Sequence, residues 1–293
     1  MGSYSYLLQF FFSGLTSGSV YALIAVSLVI VYKASSLICF AQGEFFVIGA
    51  LTMATLCAKG FPVPVAFAGA VLAATAVGAL VQRVLIRPLA GSSVGNLIVM
   101  TIAVSLTLRG LALLVWGKES QVVPPFSEGK ALNLLGATLQ LQVLWVLGIT
   151  LVVLLAIWLF FEKTTVGIAM RACAEDRLGA SLMGINPQRA AILSWAWGSG
   201  IGAMAGAAIA PLLFMQYSSG VMPMVKGFVA MSIGGLSSIA GAVVAGLLLG
   251  IVEGYTVGLI SSQFADTIVF TLLIGVLIFR PSGLFAGTRS REV

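Results

Sequence analysis

The sequence predicts an all-α, polytopic integral membrane protein, on the evidence of its composition and of its long apolar runs. The 293 residues are 60% apolar and only 8% charged, whereas soluble domains carry about 25% charged residues. Many runs reach about 20 apolar residues, the length at which a helix crosses the hydrocarbon core. Backbone hydrogen bonds must close within each segment in lipid, and barrel strands span only about 10 alternating residues, so the runs are predicted to be helices.

Eight apolar segments follow one another along the chain, five before the largest polar loop and three after it. They are Leu7–Tyr32, Ser36–Ala58, Pro62–Gln82, Asn96–Trp116, Gln140–Phe161, Ala190–Met215, Lys226–Gly258 and Phe264–Phe279. The Gly-rich segment is predicted to break near Gly234 and Gly235 into a short helix and a full one. We therefore expect one transmembrane domain over residues 1–293, with about 8–9 transmembrane helices, some of them broken or re-entrant.

The positions of Lys and Arg in the loops predict the orientation, because cytoplasmic loops carry an excess of both. With the N-terminus outside, the inner side receives Lys33, Arg83, Arg87, Lys163, Arg171, Arg177, Arg189, Arg280, Arg289 and Arg291. The outer side receives Lys59, Lys118, Lys130 and Lys226. Ten cations against four predict that the 162–189 loop is cytoplasmic and that the 117–139 loop lies on the outer side.

Several chemistries are disfavoured by residues that the sequence lacks. It contains no His, and its three cysteines, Cys39, Cys57 and Cys173, lack metal-ligand spacing, so His triads and common metal sites are not expected. No GxxxxGK[ST] phosphate-binding loop occurs, so any nucleotide chemistry must come from a partner. We expect no catalytic residue, no metal site and no cofactor in this chain. The net charge of +6 sits in loops and does not require a nucleic acid partner.

The 165–186 part of the inner loop is predicted to form one amphipathic helix outside the bilayer. Its apolar stripe repeats at helical spacing through Ala174, Leu178, Leu182 and Ile185. Arg171 and Glu175 are four residues apart and are expected to pair on the helix surface. Gly184 and the Asn186–Pro187 pair are stop signals. Two interpretations remain open: a helix that lies on the membrane surface, or a docking helix that enters a groove on a soluble partner.

Gln42 and Glu44 lie several residues inside an apolar segment, where a charge costs about 2.5–3.5 kcal/mol to insert. They are predicted either to face protein or water and mark a functional site, or to reach the interface or a helix end. Arg109, also within a segment, is expected to pack in the bundle or at the interface. In the Gly-rich segment, the GxxxG pair Gly246 and Gly250 predicts close helix packing. The break at Gly234–Gly235 could instead leave carbonyls facing a cavity.

Four strings at their spacings resemble the permease subunits of bacterial branched-chain amino-acid ABC transporters, of the LivH type. They are Gly18–Ala25, Phe40–Glu44, Arg171–Asp176 with Gly184 and Ile185, and Gly234–Gly235 with Gly241, Ala242 and Glu253. The chain departs from the family pattern at Cys39, where Asn is usual, and at Ser237 and Ala240, where Gly and Pro are usual. These departures leave the substrate open between branched-chain or related amino acids and urea, amides or aromatic acids.

The resemblance implies a multi-pass subunit of the bacterial inner membrane that works by alternating access. Its partners would be a LivM-type permease, two cytoplasmic ATPases that bind ATP and Mg, and a periplasmic substrate-binding protein. The inner-loop helix would be the coupling helix, through Arg171, Ala172, Glu175, Asp176, Ala180, Leu182, Gly184 and Ile185. Candidate path or gate residues are Gln42, Gly43, Glu44, Gly234, Gly235, Ser237 and Ser238.

Two functions of other classes compete with the importer. A secondary transporter or channel would need an intramembrane acid–base relay or a ring of charges, and the deep charges are few and lie near segment ends. A membrane-embedded enzyme would need a nucleophile with a base, or clustered metal ligands. Co-purification with ATPase subunits would separate the importer from both.

Overall fold

The computed structural model describes residues 3–89, 92–127, 129, 132–134 and 137–285, and this part is almost entirely helical. Its helices are α1 (Ser3–Ser35), α2 (Gln42–Ala58), α3 (Val63–Val81), α4 (Val94–Trp116), α5 (Leu141–Lys163), α6 (Thr165–Glu175), α7 (Arg177–Leu182), α8 (Pro187–Ile209), α9 (Val221–Gly234), α10 (Ile239–Leu259) and α11 (Ala265–Phe279). The hairpin strands β1 (Leu132–Leu134) and β2 (Ala137–Leu139) pair antiparallel within the 117–139 loop.

The helix ends follow from local sequence. The side chains of Ser93, Thr164, Asn186 and Ser238 each accept a hydrogen bond from a backbone N–H in the first turn of the helix that follows. Such caps satisfy N–H groups that have no partner within the helix. Gly235, at φ +102°, ends α9 in a backbone conformation that residues with a Cβ rarely adopt.

Helix α1 forms the centre of the bundle, and 89% of the residues in its most apolar 18-residue stretch are buried. Helices α8, α9 and α10 pack around it, while α2 and α3 pack on α8. Helices α4 and α11 lie at the periphery, and few of their residues are buried. Exposed apolar side chains on such helices are expected where lipid replaces water as the solvent.

Seven helices in the described residues are long and apolar enough to cross a membrane, and α2 and α9 are shorter apolar helices. The all-α polytopic fold is therefore confirmed, as is the break between α9 and α10. Helix α9 has 14 residues, so it is about 21 Å long against a hydrocarbon core of about 30 Å. The number of crossings depends on how α2 and α9 are counted, and it stays a prediction.

Four of the cations that were assigned to the inner side lie at the same end of the bundle. Arg87 and Arg177 line one cavity there with the end of α1, and Lys33 and Arg171 line another. Lys226 was assigned to an outer loop, and this is wrong: it lies within α9 and is buried. Lys130, Arg289 and Arg291 fall outside the described residues.

Candidate functional site

The inner loop forms two helices, so the prediction of one continuous helix over 165–186 is wrong. Helix α6 ends at Glu175, and Asp176 adopts an extended conformation with φ −146° and ψ 108°. The Asp176 carboxylate then accepts a hydrogen bond of 2.9 Å from the backbone N–H of Leu178 and starts α7. Because the Asp176 side chain bonds a backbone N–H two residues later, it favours the start of a new helix over the continuation of α6. The spacing of apolar residues does not reveal this local effect.

One face of these two helices is anchored on the rest of the chain. Met170, Cys173 and Ala180 form a buried cluster with Ala190, against which Ala172 and Ile185 pack with part of their surface. Burial raises the pKa of the Cys173 thiol, which leaves it a neutral packing group at physiological pH. Ala180 is only 5% exposed, so it belongs to this anchor and not to an outward-facing stripe.

The opposite face presents three large apolar side chains to the surroundings. Leu178, Leu182 and Met183 are 74%, 81% and 83% exposed, and we refer to these three residues as the coupling tip. Glu175 and Asp176 are exposed beside it. The predicted stripe is thus divided, because Leu178 and Leu182 point outward while Ala174 and Ile185 are half-buried. Apolar patches rimmed by charges are typical of protein or membrane contact sites.

Charged side chains connect the inner loop to the transmembrane helices. The Arg171 guanidinium pairs with Glu162 at 2.9 Å, so the expected pair with Glu175 is wrong: Glu162, at the end of α5, holds it instead. The Arg177 guanidinium donates a hydrogen bond to the carbonyl oxygen of Ala34, near the end of α1. Gly184 follows α7 with φ +82° and ends the helix, as its stop signal predicted.

Gln42 and Gly43 lie at the start of α2, in the interior of the bundle. Gln42 is fully buried, and its amide nitrogen donates a hydrogen bond of 2.5 Å to the carbonyl oxygen of Gly198 on α8. A Cβ added to Gly43 would lie 2.5 Å from the carbonyl oxygen of Gly220. Gly43 therefore lets the turn before α9 pack directly on α2.

Glu44 is buried in the bundle and paired, so the interpretation in which it reaches the interface is wrong. Its carboxylate accepts hydrogen bonds from Arg109 at 2.6 and 3.1 Å and from the Ser105 hydroxyl at 3.0 Å. Both donors lie on α4, one turn apart. Arg109 is therefore the counter-ion of Glu44, and the pair joins α2 to α4.

The backbone carbonyl groups at the end of α9, where the break begins, are covered by protein. The carbonyl oxygens of Ile233 and Gly234 accept hydrogen bonds from the backbone N–H groups of Leu284 and Phe285. Gly234 packs on Gly241. The suggestion that carbonyls here face a cavity is therefore wrong for Gly234, whose partner is the segment after α11.

Ser237 and Ser238 complete the break, at the end of the bundle that holds the inner-loop cations. Ser238 caps α10, and Ser237 is exposed at the rim of a cavity that Lys33 and Arg171 also line. The described contacts of Gln42–Glu44 are with α4, α8 and the turn before α9. The two groups of path candidates thus lie at separate places and do not form one site.

A third polar group, not singled out as a site from the sequence, lies between α9, α10 and α11. The Lys226 ammonium is buried and pairs with Glu253 at 2.7 Å and with the half-exposed Asp266 at 2.8 Å. The ammonium lies 5.6 Å from the centre of the Tyr21 ring. Glu253 is one of the residues that carry the family resemblance. The spacing of the three charged residues along the sequence does not indicate that they meet.

This arrangement suits packing, docking and movement of helices rather than covalent chemistry. In the residues that the structure describes, no cluster of three potential metal ligands of the His, Cys, Asp or Glu type occurs. The buried charges form ion pairs. A cavity of about 480 Å³ between α3, α5 and α8 is lined by apolar side chains, including Phe67, Trp145 and Trp197.

Residues 10–279 match the protein family described as "Branched-chain amino acid transport system / permease component". The chain belongs to this family. The permease LivH of Escherichia coli (strain K12) is 33% identical, with 98% of each chain aligned. BraD of Pseudomonas aeruginosa is 33% identical over 99% of each chain. A probable LivH of Methanocaldococcus jannaschii is 27% identical over 89% of this chain and 87% of that one.

A comparison of solved structures gives a weaker likeness. It matches the structure titled "PsaBC from Streptococcus pneumoniae in complex with Fab", with a TM-score of 0.48, 13% identity and coverage of 92% of this chain and 91% of that chain. The family assignment rests on the sequence matches. It makes this chain a multi-pass membrane permease subunit.

Proposed function

We propose that this chain is one permease subunit of an ABC importer that moves branched-chain or related amino acids across the bacterial inner membrane by alternating access. The LivH and BraD relatives are named as components of high-affinity branched-chain amino acid transport systems, and they align over nearly the whole chain. Urea, amides and aromatic acids remain the alternative substrates, because Cys39, Ser237 and Ala240 depart from the usual family pattern.

The observation that carries the proposal is the coupling tip. Leu178 and Leu182 project from a short helix whose other face is anchored through Ala180. An exposed apolar pair on a fixed base fits a groove on a soluble partner, because little conformational entropy remains to be lost on docking. The exposed Glu175 and Asp176 would fix the register through charges at the rim of the groove.

The partners follow from what the chain has and lacks. Two cytoplasmic ATPases would receive coupling tips, one from this chain and one from a second, LivM-type permease, and would bind ATP and Mg themselves. A periplasmic binding protein would deliver substrate to the opposite end of the bundle. In this assembly the chain contributes the path and the coupling surface and carries out no catalysis.

Two contacts would carry movement of the tip into the membrane. The hydrogen bond from Arg177 to the Ala34 carbonyl reaches α1, the central helix, and the Arg171–Glu162 pair reaches α5. The exposed Arg171 pair would contribute only about 0–1 kcal/mol, so the link to α1 is expected to matter more. In this scheme the translocation path or its gate is lined by two groups of residues, which are Gln42, Gly43 and Glu44, and Gly234, Gly235, Ser237 and Ser238.

The test of docking is a charge on the coupling tip in the complete complex. Leu182→Glu places a carboxylate on an exposed residue, so folding should be unchanged, but docking would bury an unpaired charge. We expect binding of the ATPase to weaken more than a hundredfold, equivalent to about 3 kcal/mol. Leu213→Glu, at a half-exposed leucine outside the inner loop, is the control that should bind normally.

The readouts are co-purification of the ATPase and ATP hydrolysis stimulated by loaded binding protein in nanodiscs. Normal binding and stimulation with Leu182→Glu would show that the coupling tip is not the docking surface. Ala180→Glu tests something different, because it puts a charge into the anchor and should disturb folding of the loop. Competition between labelled leucine, phenylalanine and urea in the same nanodiscs assigns the substrate class.

The proposed orientation has its own test. Single cysteines at Ser120 and Ser181, both exposed, are introduced into a Cys-free background and treated with an impermeant maleimide from outside. The cysteine at position 120, in the 117–139 loop, should react, and the one at position 181, beside the coupling tip, should not. The reverse pattern would invert the chain in the membrane and remove the cytoplasmic docking surface.

A further inference from the structure

A cavity of about 550 Å³ opens at the end of the bundle where α5 passes into α6. The ends of α1 and α5, Arg171 in the second half of α6 and the break before α10 surround it. Its polar lining is Lys33, Glu162, Arg171, Ser237 and Ser238, and its apolar lining is Ile157, Trp158, Phe161, Ile239, Ala240 and Phe285. The cavity lining therefore combines charged, polar and aromatic side chains.

The polar lining favours an anion. Lys33 and Arg171 supply two positive charges against the single carboxylate of Glu162, which leaves a net charge of one positive. Glu162 pairs with Arg171, while Lys33 forms no ion pair within the described part of the chain. The exposed Ser237 hydroxyl and the N-terminal end of the 21-residue α10 lie at the same rim, and both add attraction for an anion.

The aromatic lining indicates where this anion lies relative to the membrane. Trp158 is 56% exposed and lies one and a half turns before the end of α5. Half-exposed tryptophan near a helix end is typical of the headgroup level of a bilayer. Lys33 stands two residues before the end of α1, in the position from which lysine side chains reach phosphates. A small free anion would make no favourable contact with the apolar wall beside these cations, whereas an acyl chain would.

We propose that this cavity binds one anionic phospholipid, with its phosphate on Lys33, Arg171 and Ser237 and an acyl chain along Trp158 and Phe161. The shared chemistry is a phosphate group, and the apolar wall selects the lipid over free phosphate. Assignment to the cytoplasmic leaflet rests on the orientation in the proposed function. The lipid would bridge α6 to the α9–α10 break, and so hold the inner loop in register with it.

The experiment compares lipid retention by the assembled complex carrying wild-type chain, Lys33→Gln or Lys59→Gln. Lys59 is an exposed cation beyond the end of α2 and serves as the matched control. Complexes in nanodiscs of equal phosphatidylglycerol and phosphatidylcholine are released into detergent and their retained lipids are measured by native mass spectrometry. We expect Lys33→Gln to lower the retained phosphatidylglycerol about fivefold, as a gain of about 1 kcal/mol per juxtamembrane cation implies.

Three results would overturn the lipid site. Equal retention in Lys33→Gln and Lys59→Gln would place the lipid elsewhere, and displacement by millimolar inorganic phosphate would identify a free-anion site. In a Trp158→Cys variant, position 158 should lie beside lipid and react with a photoactivatable phosphatidylglycerol. A crosslink from the cysteine at position 158 to the second permease in its place would show that protein covers the cavity.

ATPase co-purification is scored in the same samples. Its loss would contradict the proposed function, whereas normal co-purification without lipid selectivity contradicts the lipid site alone.

Discussion

Two helix pairs in this bundle are held together by opposite means. Helices α1 and α10 run antiparallel along glycines, with Gly14 and Gly18 facing Gly250 and Gly254; we call this the glycine seam. Helices α2 and α4 meet through hydrogen bonds from Ser105, Arg109 and Trp116, which we call the polar seam. The backbones touch in the first pair, while side chains span a gap in the second.

The difference reflects what a membrane permits. Lipid tails are as apolar as leucine, so apolar burial does not drive helices together there. A helix must either approach closely enough for dispersion contacts to accumulate or satisfy polar groups that lipid cannot. The central α1 uses the first means and the peripheral α4 the second. We therefore expect the glycine seam to fix the fold and the polar seam to fix the place of α4.

The largest effect is expected at the glycine seam. A Cβ at Gly250 would collide with the backbone of Gly18, so Gly250→Leu must push α10 away from α1. We expect a loss of roughly 4 kcal/mol in the free energy of unfolding, measured by titration with SDS in mixed micelles. Gly275→Leu should change it by less than about 0.5 kcal/mol, because no described residue beyond its own turn of helix lies within 4 Å of the added Cβ.

The second effect concerns the ion pairs around α9. Lys226→Met removes the cation from between Glu253 and Asp266, and leaves the Glu253 carboxylate buried without its counter-ion. We expect a loss of about 3 kcal/mol, the lower end for a broken buried pair. Asp266 is half-exposed and should contribute little to it. Adding Glu253→Gln should restore part of the stability; if it worsens the loss, the pair is not what holds α9.

The third effect tests the polar seam. Arg109→Ala should cost about 2 kcal/mol, less than a fully buried pair because Arg109 is partly exposed. Glu44→Gln can still accept from Ser105, and the double variant should lose less than the sum of the two single losses. A strictly additive result would mean that the 2.6 Å contact contributes no coupling energy.

Transport by the Glu44→Gln variant then decides what Glu44 does. If Glu44 serves as a gate, uptake should fall severalfold while assembly and the SDS titration stay close to wild type. Uptake that falls only in proportion to the amount of folded protein would make Glu44 a packing residue. Arg109→Lys, which keeps the charge but loses the two-donor contact, is the matched variant for the same assay.

The smallest effect is expected at the outer end of the polar seam. The Trp116 ring nitrogen donates to the Thr55 hydroxyl at 2.7 Å, and Trp116→Phe removes that bond while keeping most of the ring. We expect a loss of about 0.6 kcal/mol, the average for one interhelical hydrogen bond in a membrane. Trp158→Phe, a half-exposed ring with no hydrogen bond among the described residues, is the control and should be neutral.

The inner loop shows where prediction from sequence succeeded and where it failed. Gly184 was expected to stop a helix and does so with φ +82°, because a glycine signal is local. The pairing of Arg171 was predicted from spacing within the loop and is wrong, because Glu162 of α5 lies closer. Asp176 was assigned to a helix interior and instead caps α7. The first error arises because a residue of another helix provides the partner. The second arises because a side chain bonds the nearby backbone. Neither contact is visible in the spacing of residues along one helix.

The sequence by itself determined that this protein is a helical membrane protein, roughly where its membrane helices lie and where the Gly-rich segment breaks. These features depend on the length of apolar runs and on the conformational freedom of glycine, and both act locally. The tertiary structure alone decided that Glu44 meets Arg109 and that Lys226 is buried with Glu253, residues 65 and 27 positions apart. Such pairs depend on which helices become neighbours and at what rotation, and no spacing along the chain records that.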